Sequence, residues 1–83
     1  DFVMIKPGLP YLDIIKSVKE NFKIPVFAYQ VSGEYSMIKN AIKKNMFHKD
    51  VIIESIMSFK RAGASAVVTY FALDIAAKIK KGL

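Results

Sequence analysis

Three short runs of apolar residues, many of them β-branched or aromatic, predict β-strands along the chain. They are residues 2–5 (FVMI), 24–31 (IPVFAYQV) and 65–72 (SAVVTYFA). Each run is nearly continuous rather than alternating, which is typical of strands that are covered on both faces, as in a parallel sheet. We therefore expect three buried parallel strands.

Helical periodicity follows each predicted strand. Apolar residues spaced by three and four positions predict a helix after the first run, with Pro10 in its first turn. Two helices are predicted between the second and third runs. The first opens with Ser32 as its N-cap, and the second is bounded by Asp50 and Gly63. An amphipathic helix over 73–80 completes the order β-α, β-α-α, β-α.

This alternation predicts an α/β fold with right-handed crossovers and a parallel sheet. A barrel of eight βα units takes about 250 residues, whereas this chain has 83. Three strands cannot close and leave unpaired edges, so we expect part of a barrel. Because the first strand-like run starts one residue after Asp1, we also expect a piece of a longer chain.

Composition and charge narrow the possible functions. The chain is 53% hydrophobic and 24% charged, unlike a disordered segment. It has no cysteine and one histidine, His48, so a metal site would rely mostly on carboxylates. His48 lies in a predicted loop away from the strand ends and is interpreted as a surface residue. No stretch approaches the roughly 18 apolar residues of a membrane span, and we expect no membrane partner.

The formal net charge is +6, a balance that can indicate a nucleic-acid or anionic-lipid partner. Most lysines, however, fall between apolar residues at helical spacing, as on solvated helix faces. The only tight cluster is KIKK at 78–81. We therefore expect no nucleic-acid partner, and a small basic α/β module that binds an acidic partner or nucleic acid stays an alternative.

Polar side chains gather where the predicted strands end, which is where α/β folds place reactive groups. These residues are Lys6, Tyr29, Gln30, Ser32, Thr69 and Tyr70. If the strands are adjacent, an amine, two phenols and a hydroxyl converge on one edge of the sheet.

Lys6 has two interpretations. An amine walled by apolar side chains loses solvation of its ammonium form, which favours the neutral nucleophile that attacks ketones to give imines. Alternatively, Lys6 simply leaves the strand and points into water. Ser32 is either a helix cap or, together with exposed N–H groups at a helix start, part of an anion site. Tyr70 either packs or donates to a substrate carboxylate.

Three stretches resemble the carboxyl-terminal part of the porphobilinogen synthase family, also called delta-aminolevulinic acid dehydratase. They are VMIKPGLPYLDII, PVFAYQVSGEYSMI and ESIMSFKRAGASAVVTYFALD. The most specific elements are KPG after a strand, YQVSGEY about two dozen residues later, and RAGA before TYFA. The resemblance covers essentially all 83 residues.

The resemblance implies the last three βα units of a TIM (β/α)8 barrel. Residues 1–83 would then be the carboxyl-terminal part of one barrel catalytic domain whose remainder lies upstream. It also implies a lyase that condenses two molecules of 5-aminolevulinate to porphobilinogen, with loss of two waters, in tetrapyrrole and heme biosynthesis.

The family's site residues map onto matching positions of this chain. Lys6 matches the lysine that forms an imine with the substrate contributing the propionate side of the product. Ser32 and Tyr70 match the hydroxyls that hold that substrate's carboxylate, and Tyr29 matches an aromatic near this site. Another imine-forming barrel lyase, such as a class I aldolase, would share Lys6 but not the YQVSGEY hydroxyls, and stays an alternative.

Other implied parts of the family enzyme are not found in this segment. A second active-site lysine, the basic residues for the other substrate, a cysteine-rich metal segment and a lid would lie upstream. We therefore expect the segment alone to be inactive, to hold no cofactor, and to belong to an enzyme that uses zinc or magnesium. The family also implies a homo-octamer or hexamer, located in the cytoplasm or in a plastid.

Overall fold

The computed structural model describes residues 1–82, which form a three-stranded sheet with four α-helices. The strands are β1 (Val3–Ile5), β2 (Val26–Gln30) and β3 (Ala66–Thr69), and the helices are α1 (Leu12–Asn21), α2 (Ser32–Lys43), α3 (Val51–Ala62) and α4 (Ala72–Lys80). Pro10 lies in a separate 3-10 helix, Leu9–Tyr11, rather than in the first turn of α1. The predicted order of elements is confirmed.

β2 is the central strand and pairs with β1 and β3, both in parallel. Ile5 lies opposite Ala28, and Gln30 lies opposite Thr69. The carboxyl ends of all three strands therefore meet at one edge of the sheet. The predicted parallel sheet is confirmed.

The hydrophobic core lies between one face of the sheet and the helices α1 and α3. Its fully buried members are Ile15, Val26, Ala28 and Phe59. α1 contacts β2 and α3, and α3 contacts β3. Because residues that alternate along a strand point to opposite faces, Val26 and Ala28 supply the helix-covered face of β2.

The opposite face of the sheet carries Met4, Phe27, Tyr29 and Val68, which the strand register aligns on one side. Met4, Phe27 and Tyr29 are half-buried, and Val68 is exposed. The prediction of strands covered on both faces is therefore wrong for the described residues. The reason is the topology, since strands in the order β1, β2, β3 with crossovers of one hand place α1 and α3 on the same face of the sheet.

The helix boundaries correct one predicted cap and confirm one predicted stop. α2 begins at Ser32, so its N-cap is Val31 rather than Ser32. Asp50 takes the N-cap position of α3 but makes no capping hydrogen bond with its side chain. Gly63 ends α3 with a φ of 113°, a left-handed conformation that glycine adopts without steric cost.

The lysine side chains lie on the surface, as predicted. The exposed lysines include Lys16, Lys19, Lys23, Lys39, Lys43, Lys44 and Lys60. The side chain of His48 is 72% exposed, which confirms its interpretation as a surface residue. Asp50 forms an exposed ion pair with Lys78 at 3.4 Å, and its Oδ2 lies 3.3 Å from Nδ1 of His48. Within residues 1–82, no helix has both the length and the apolar character needed to cross a bilayer.

Gly8 directly follows Pro7 in the loop after β1 (residues 6–9, the β1 loop) and packs against the core. A Cβ atom at this position would lie 2.8 Å from Cζ of Phe59, closer still to Cε1 of the same ring, and 3.2 Å from the carbonyl oxygen of Tyr29. Phe59 is fully buried, so its ring has little room to move. The absence of a side chain at Gly8 lets the β1 loop lie directly on this ring.

We predict that Gly8→Ala destabilises the folded protein by about 1–3 kcal/mol, the usual cost of forcing an extra methyl group into a packed core. Gly33→Ala is the matched control, because no atom lies within 4 Å of a Cβ at that position and alanine favours helices. The apparent unfolding temperatures of the two variants of the full-length protein provide the measurement. Equal unfolding temperatures would contradict the packing constraint at Gly8.

Candidate active site

The strand pairing brings the four predicted site residues to the carboxyl edge of the sheet. Lys6 lies one residue beyond Ile5, whose partner Ala28 precedes Tyr29. Ser32 begins α2, two residues after β2 ends, and Tyr70 directly follows β3. Each residue therefore stands at or just beyond a strand end, as the sequence predicted.

Tyr29 and Tyr70 are the two members of this set with a direct interaction. Together with Val68 and Thr69 they line an open cavity of about 230 Å³. A hydrogen bond with Tyr29, reinforced by the charge that an ionised partner would carry, raises the pKa of Tyr70 above its ordinary value. The ring of Tyr35 lies 5.5 Å from the ring of Tyr70. The shift favours the neutral phenol, which can donate a hydrogen bond.

Lys6 and Ser32 are exposed in the described part of the chain. The apolar wall that was predicted to surround the Lys6 amine is not supplied by residues 1–82. Both side chains stand at the carboxyl edge of the sheet.

A buried carboxylate that the sequence did not single out joins the β1 loop to α2. Glu34 is 3% exposed. Its Oε1 accepts the Gly8 N–H at 2.8 Å, and its Oε2 accepts the Leu9 N–H at 3.3 Å. Oε1 also accepts the N-cap N–H of Val31 at 3.5 Å. The Gly8 N–H additionally donates to the carbonyl oxygen of Tyr29 at 2.9 Å, so this loop is tied to both β2 and α2.

A second buried network ties the ends of β2 and β3 to α3. The Thr69 hydroxyl donates to Oε1 of Gln30 at 2.6 Å, and Nε2 of Gln30 donates to the Ser55 hydroxyl at 3.0 Å. The Ser55 hydroxyl donates to the carbonyl of Ile52 at 2.8 Å. Thr69 also accepts the N–H of Phe71 at 3.1 Å. These bonds fix the backbone on both sides of Tyr70.

The sequence carried weak signals for both networks. Gln30 is a polar residue inside an otherwise apolar run, a position where burial requires a partner. Glu34 follows the N-cap Val31 by three residues, the position of the acidic half of a capping box. Nothing local could show that its main partner, Gly8, lies 26 residues earlier.

The described residues do not fit a metal ion. Residues 1–82 contain no group of three or more histidine, aspartate or glutamate side chains close enough to ligate one. The Glu34 carboxylate already accepts hydrogen bonds from backbone N–H groups. The partial positive charge of these donors would repel a cation bound to the same oxygens. No step of the chemistry is therefore assigned to a metal held by this segment.

Comparison with known proteins shows strong similarity to one enzyme family. The sequence model of the family described as "Delta-aminolevulinic acid dehydratase" matches residues 1–78. The chain is 57% identical over 79 residues to the delta-aminolevulinic acid dehydratase of Methanothermus sociabilis, covering 95% of this chain and 25% of that protein. It is 51% identical over 77 residues to the chloroplastic enzyme of Spinacia oleracea, covering 92% of this chain and 18% of that protein.

A solved structure shows the same similarity in three dimensions. Delta-aminolevulinic acid dehydratase (porphobilinogen synthase) from Toxoplasma gondii ME49, in complex with the reaction product porphobilinogen, superimposes with a TM-score of 0.84 at 52% identity. The match covers 87% of this chain and 21% of that one. Together with the parallel sheet, it confirms the predicted fold class, βα units of a TIM (β/α)8 barrel. The chain spans about a quarter or less of the relatives it matches.

We predict that Tyr29→Phe lowers the pKa of Tyr70 toward the ordinary tyrosine value of about 10, because it removes the phenol that raises it. A raised pKa favours the neutral phenol, so the pair stabilises the fold below about pH 10 and this contribution is lost as pH rises through the folded-state pKa. The measurement is NMR titration of labelled tyrosine in the full-length protein, with the Tyr70 signal assigned by Tyr70→Phe. Tyr11→Phe is the control that leaves the Tyr70 titration unchanged. An unaltered titration in Tyr29→Phe would show that the pair does not interact.

Proposed function

Because the chain belongs to the delta-aminolevulinic acid dehydratase family, we propose that it forms part of the active site of a porphobilinogen synthase. This enzyme condenses two molecules of 5-aminolevulinate to porphobilinogen with loss of two waters. The observation that carries the proposal is the placement of Lys6, Tyr29, Ser32 and Tyr70 at one sheet edge, in a chain whose residues 1–78 match the family.

Lys6 is the proposed covalent catalyst. Its neutral Nζ attacks the ketone carbon of 5-aminolevulinate, and a C–N bond forms as the carbonyl oxygen takes up a proton. One of the two protons on the nitrogen then passes to that oxygen, which leaves as water, and the nitrogen lone pair forms the C=N bond of a protonated imine that draws electrons from the adjacent carbon. A strand tip suits this role, because a rigid scaffold holds the amine in a fixed orientation toward the substrate.

Ser32 and Tyr70 are the proposed ligands of that substrate's carboxylate. Ser32 offers a hydroxyl and lies at the amino end of α2, where the helix dipole favours a negative charge. Tyr70 offers a phenol hydroxyl that lines the same cavity as Tyr29. Fixing the carboxylate with these two donors would orient the ketone carbon toward Lys6.

The remaining parts of the enzyme are proposed to lie outside this segment. The upstream strands of the barrel would supply the apolar wall around Lys6, the second lysine and the basic residues for the other substrate. A zinc or magnesium ion used by the full-length enzyme would also be held by upstream residues. The segment alone is therefore proposed to be inactive. Assembly as an octamer or hexamer, and a cytoplasmic or plastid location, stay predictions.

Family membership supports one of the alternatives that the sequence left open. A class I aldolase would use Lys6 without the Ser32 and Tyr70 hydroxyls, and a basic binding module would need no amine at a strand end. The exposed lysines are spread over several elements of the chain. The imine-forming dehydratase accounts for all of these features.

We predict that borohydride reduction of the full-length enzyme with 5-aminolevulinate attaches the mass of the reduced substrate to the peptide containing Lys6. Reduction converts the imine to a stable secondary amine, which peptide mass spectrometry locates. Lys6→Arg keeps the charge but forms no productive imine, so turnover falls by orders of magnitude. Lys16→Arg, on the exposed side of α1, is the matched control. Near-normal turnover in Lys6→Arg would refute the role of Lys6.

We predict that Ser32→Ala and Tyr70→Phe each weaken substrate binding by roughly 1.5–3 kcal/mol, the value of a hydrogen bond to a charged group. This corresponds to a rise in KM of about tenfold or more, with a smaller effect on kcat. Ser36→Ala, one turn later on α2, and Tyr11→Phe are the controls. Steady-state kinetics measure the effect, and an unchanged KM in both site variants would exclude the carboxylate role.

A further inference from the structure

We propose that Glu34 is a positioning residue for catalysis, which holds the backbone of residues 6–9, the β1 loop (here also the Lys6 loop), so that the amine meets the substrate. This inference rests on the proposed function, because it assigns to Glu34 the task of orienting the imine-forming lysine. Glu34 touches no reacting atom, and its effect passes through the backbone of residues 6–9.

The contacts of Glu34 show that its main task is outside its own helix. Oε1 lies 2.8 Å from the Gly8 nitrogen but 3.5 Å from the nitrogen of Val31, the helix N-cap. Oε2 accepts the Leu9 N–H at 3.3 Å. Hydrogen bonds between N–H and oxygen are most common near 2.9–3.0 Å, so the bond to Gly8 is the strongest of the three. If Glu34 served only to cap α2, its bond to the Val31 N–H would be shorter than its bond to the Gly8 N–H.

The Lys6 loop depends on this carboxylate because, among the described residues, Glu34 is the side chain to which its backbone N–H groups donate. Lys6 is exposed, so packing does not hold its side chain. Pro7 has no N–H to donate, which leaves Gly8 and Leu9 as the first donors after the amine. Gly8 is buried against Phe59 and shares its N–H between Glu34 and the carbonyl oxygen of Tyr29.

The position of Glu34 couples the two halves of the proposed site. Its backbone belongs to the first turn of α2, which also carries Ser32, whereas its side chain binds the loop that carries Lys6. The Glu34 carboxylate thereby sets the distance between the Lys6 amine and the Ser32 hydroxyl, the proposed ligand of the substrate carboxylate. Misplacing a reacting group by about 1 Å can cost on the order of a hundredfold in rate, so loss of this link should slow imine formation.

The test is the rate at which borohydride traps 5-aminolevulinate on Lys6 in the full-length enzyme at saturating substrate. Glu34→Gln keeps the size of the side chain but turns one acceptor oxygen into an NH2 group that faces backbone donors. We expect the trapping rate to fall about tenfold or more, while KM changes less than it does in Ser32→Ala. Glu34→Asp keeps the charge and shortens the reach, and it should also slow trapping, which covers the case in which Glu34→Gln does not fold.

Val26→Ala is the control for a purely structural effect. It removes a buried side chain at the amino end of β2, far along the strand from the Lys6 loop. It should lower the unfolding temperature and leave the trapping rate unchanged.

A trapping rate at the unsubstituted level in Glu34→Gln and Glu34→Asp would overturn the positioning role alone. An equal slowing in Val26→Ala would also overturn it. If the unsubstituted enzyme is not labelled at Lys6, the proposed function fails and this inference fails with it.

Discussion

Every candidate site residue owes its position to the parallel pairing of β2 with both of its neighbours. Parallel pairing places the carboxyl ends of β1, β2 and β3 at one edge, so residues that are far apart in the sequence meet there. An antiparallel neighbour would send its strand end to the opposite edge. The core of Ile15, Val26, Ala28 and Phe59 holds this arrangement from one side of the sheet, and the chemistry lies at its rim.

Two buried polar networks turn the strand ends into fixed positions. Glu34 ties the β1 loop to α2, and Gln30 ties the end of β3 to α3 through Thr69 and Ser55. Buried polar groups without partners are costly, and none is left unpaired among the described side chains. Each network therefore has one well-satisfied arrangement. Loops are often mobile, but buried hydrogen bonds hold the backbone of the loops that follow β1 and β3.

The sequence predicted those features that depend on neighbours along the chain. The apolar runs and helical spacing gave the order of elements, and strand ends located Lys6, Tyr29 and Tyr70. The features it missed depend on distant contacts. The burial of Glu34 requires Gly8, which is 26 residues away, and local spacing instead suggested Ser32 as the cap. The predicted cover on both sheet faces failed because three strands cannot surround their own inner side chains.

The central claim is that Lys6 becomes covalently joined to substrate while Glu34 holds its loop. The most direct measurement is a crystal structure of the full-length enzyme reduced in the presence of 5-aminolevulinate. The account predicts continuous electron density from Nζ of Lys6 to the former ketone carbon, with the bond between Gly8 and Glu34 retained near 2.8 Å. Substrate bound without a link to Lys6, or a linked Lys6 whose loop has left Glu34, would contradict it.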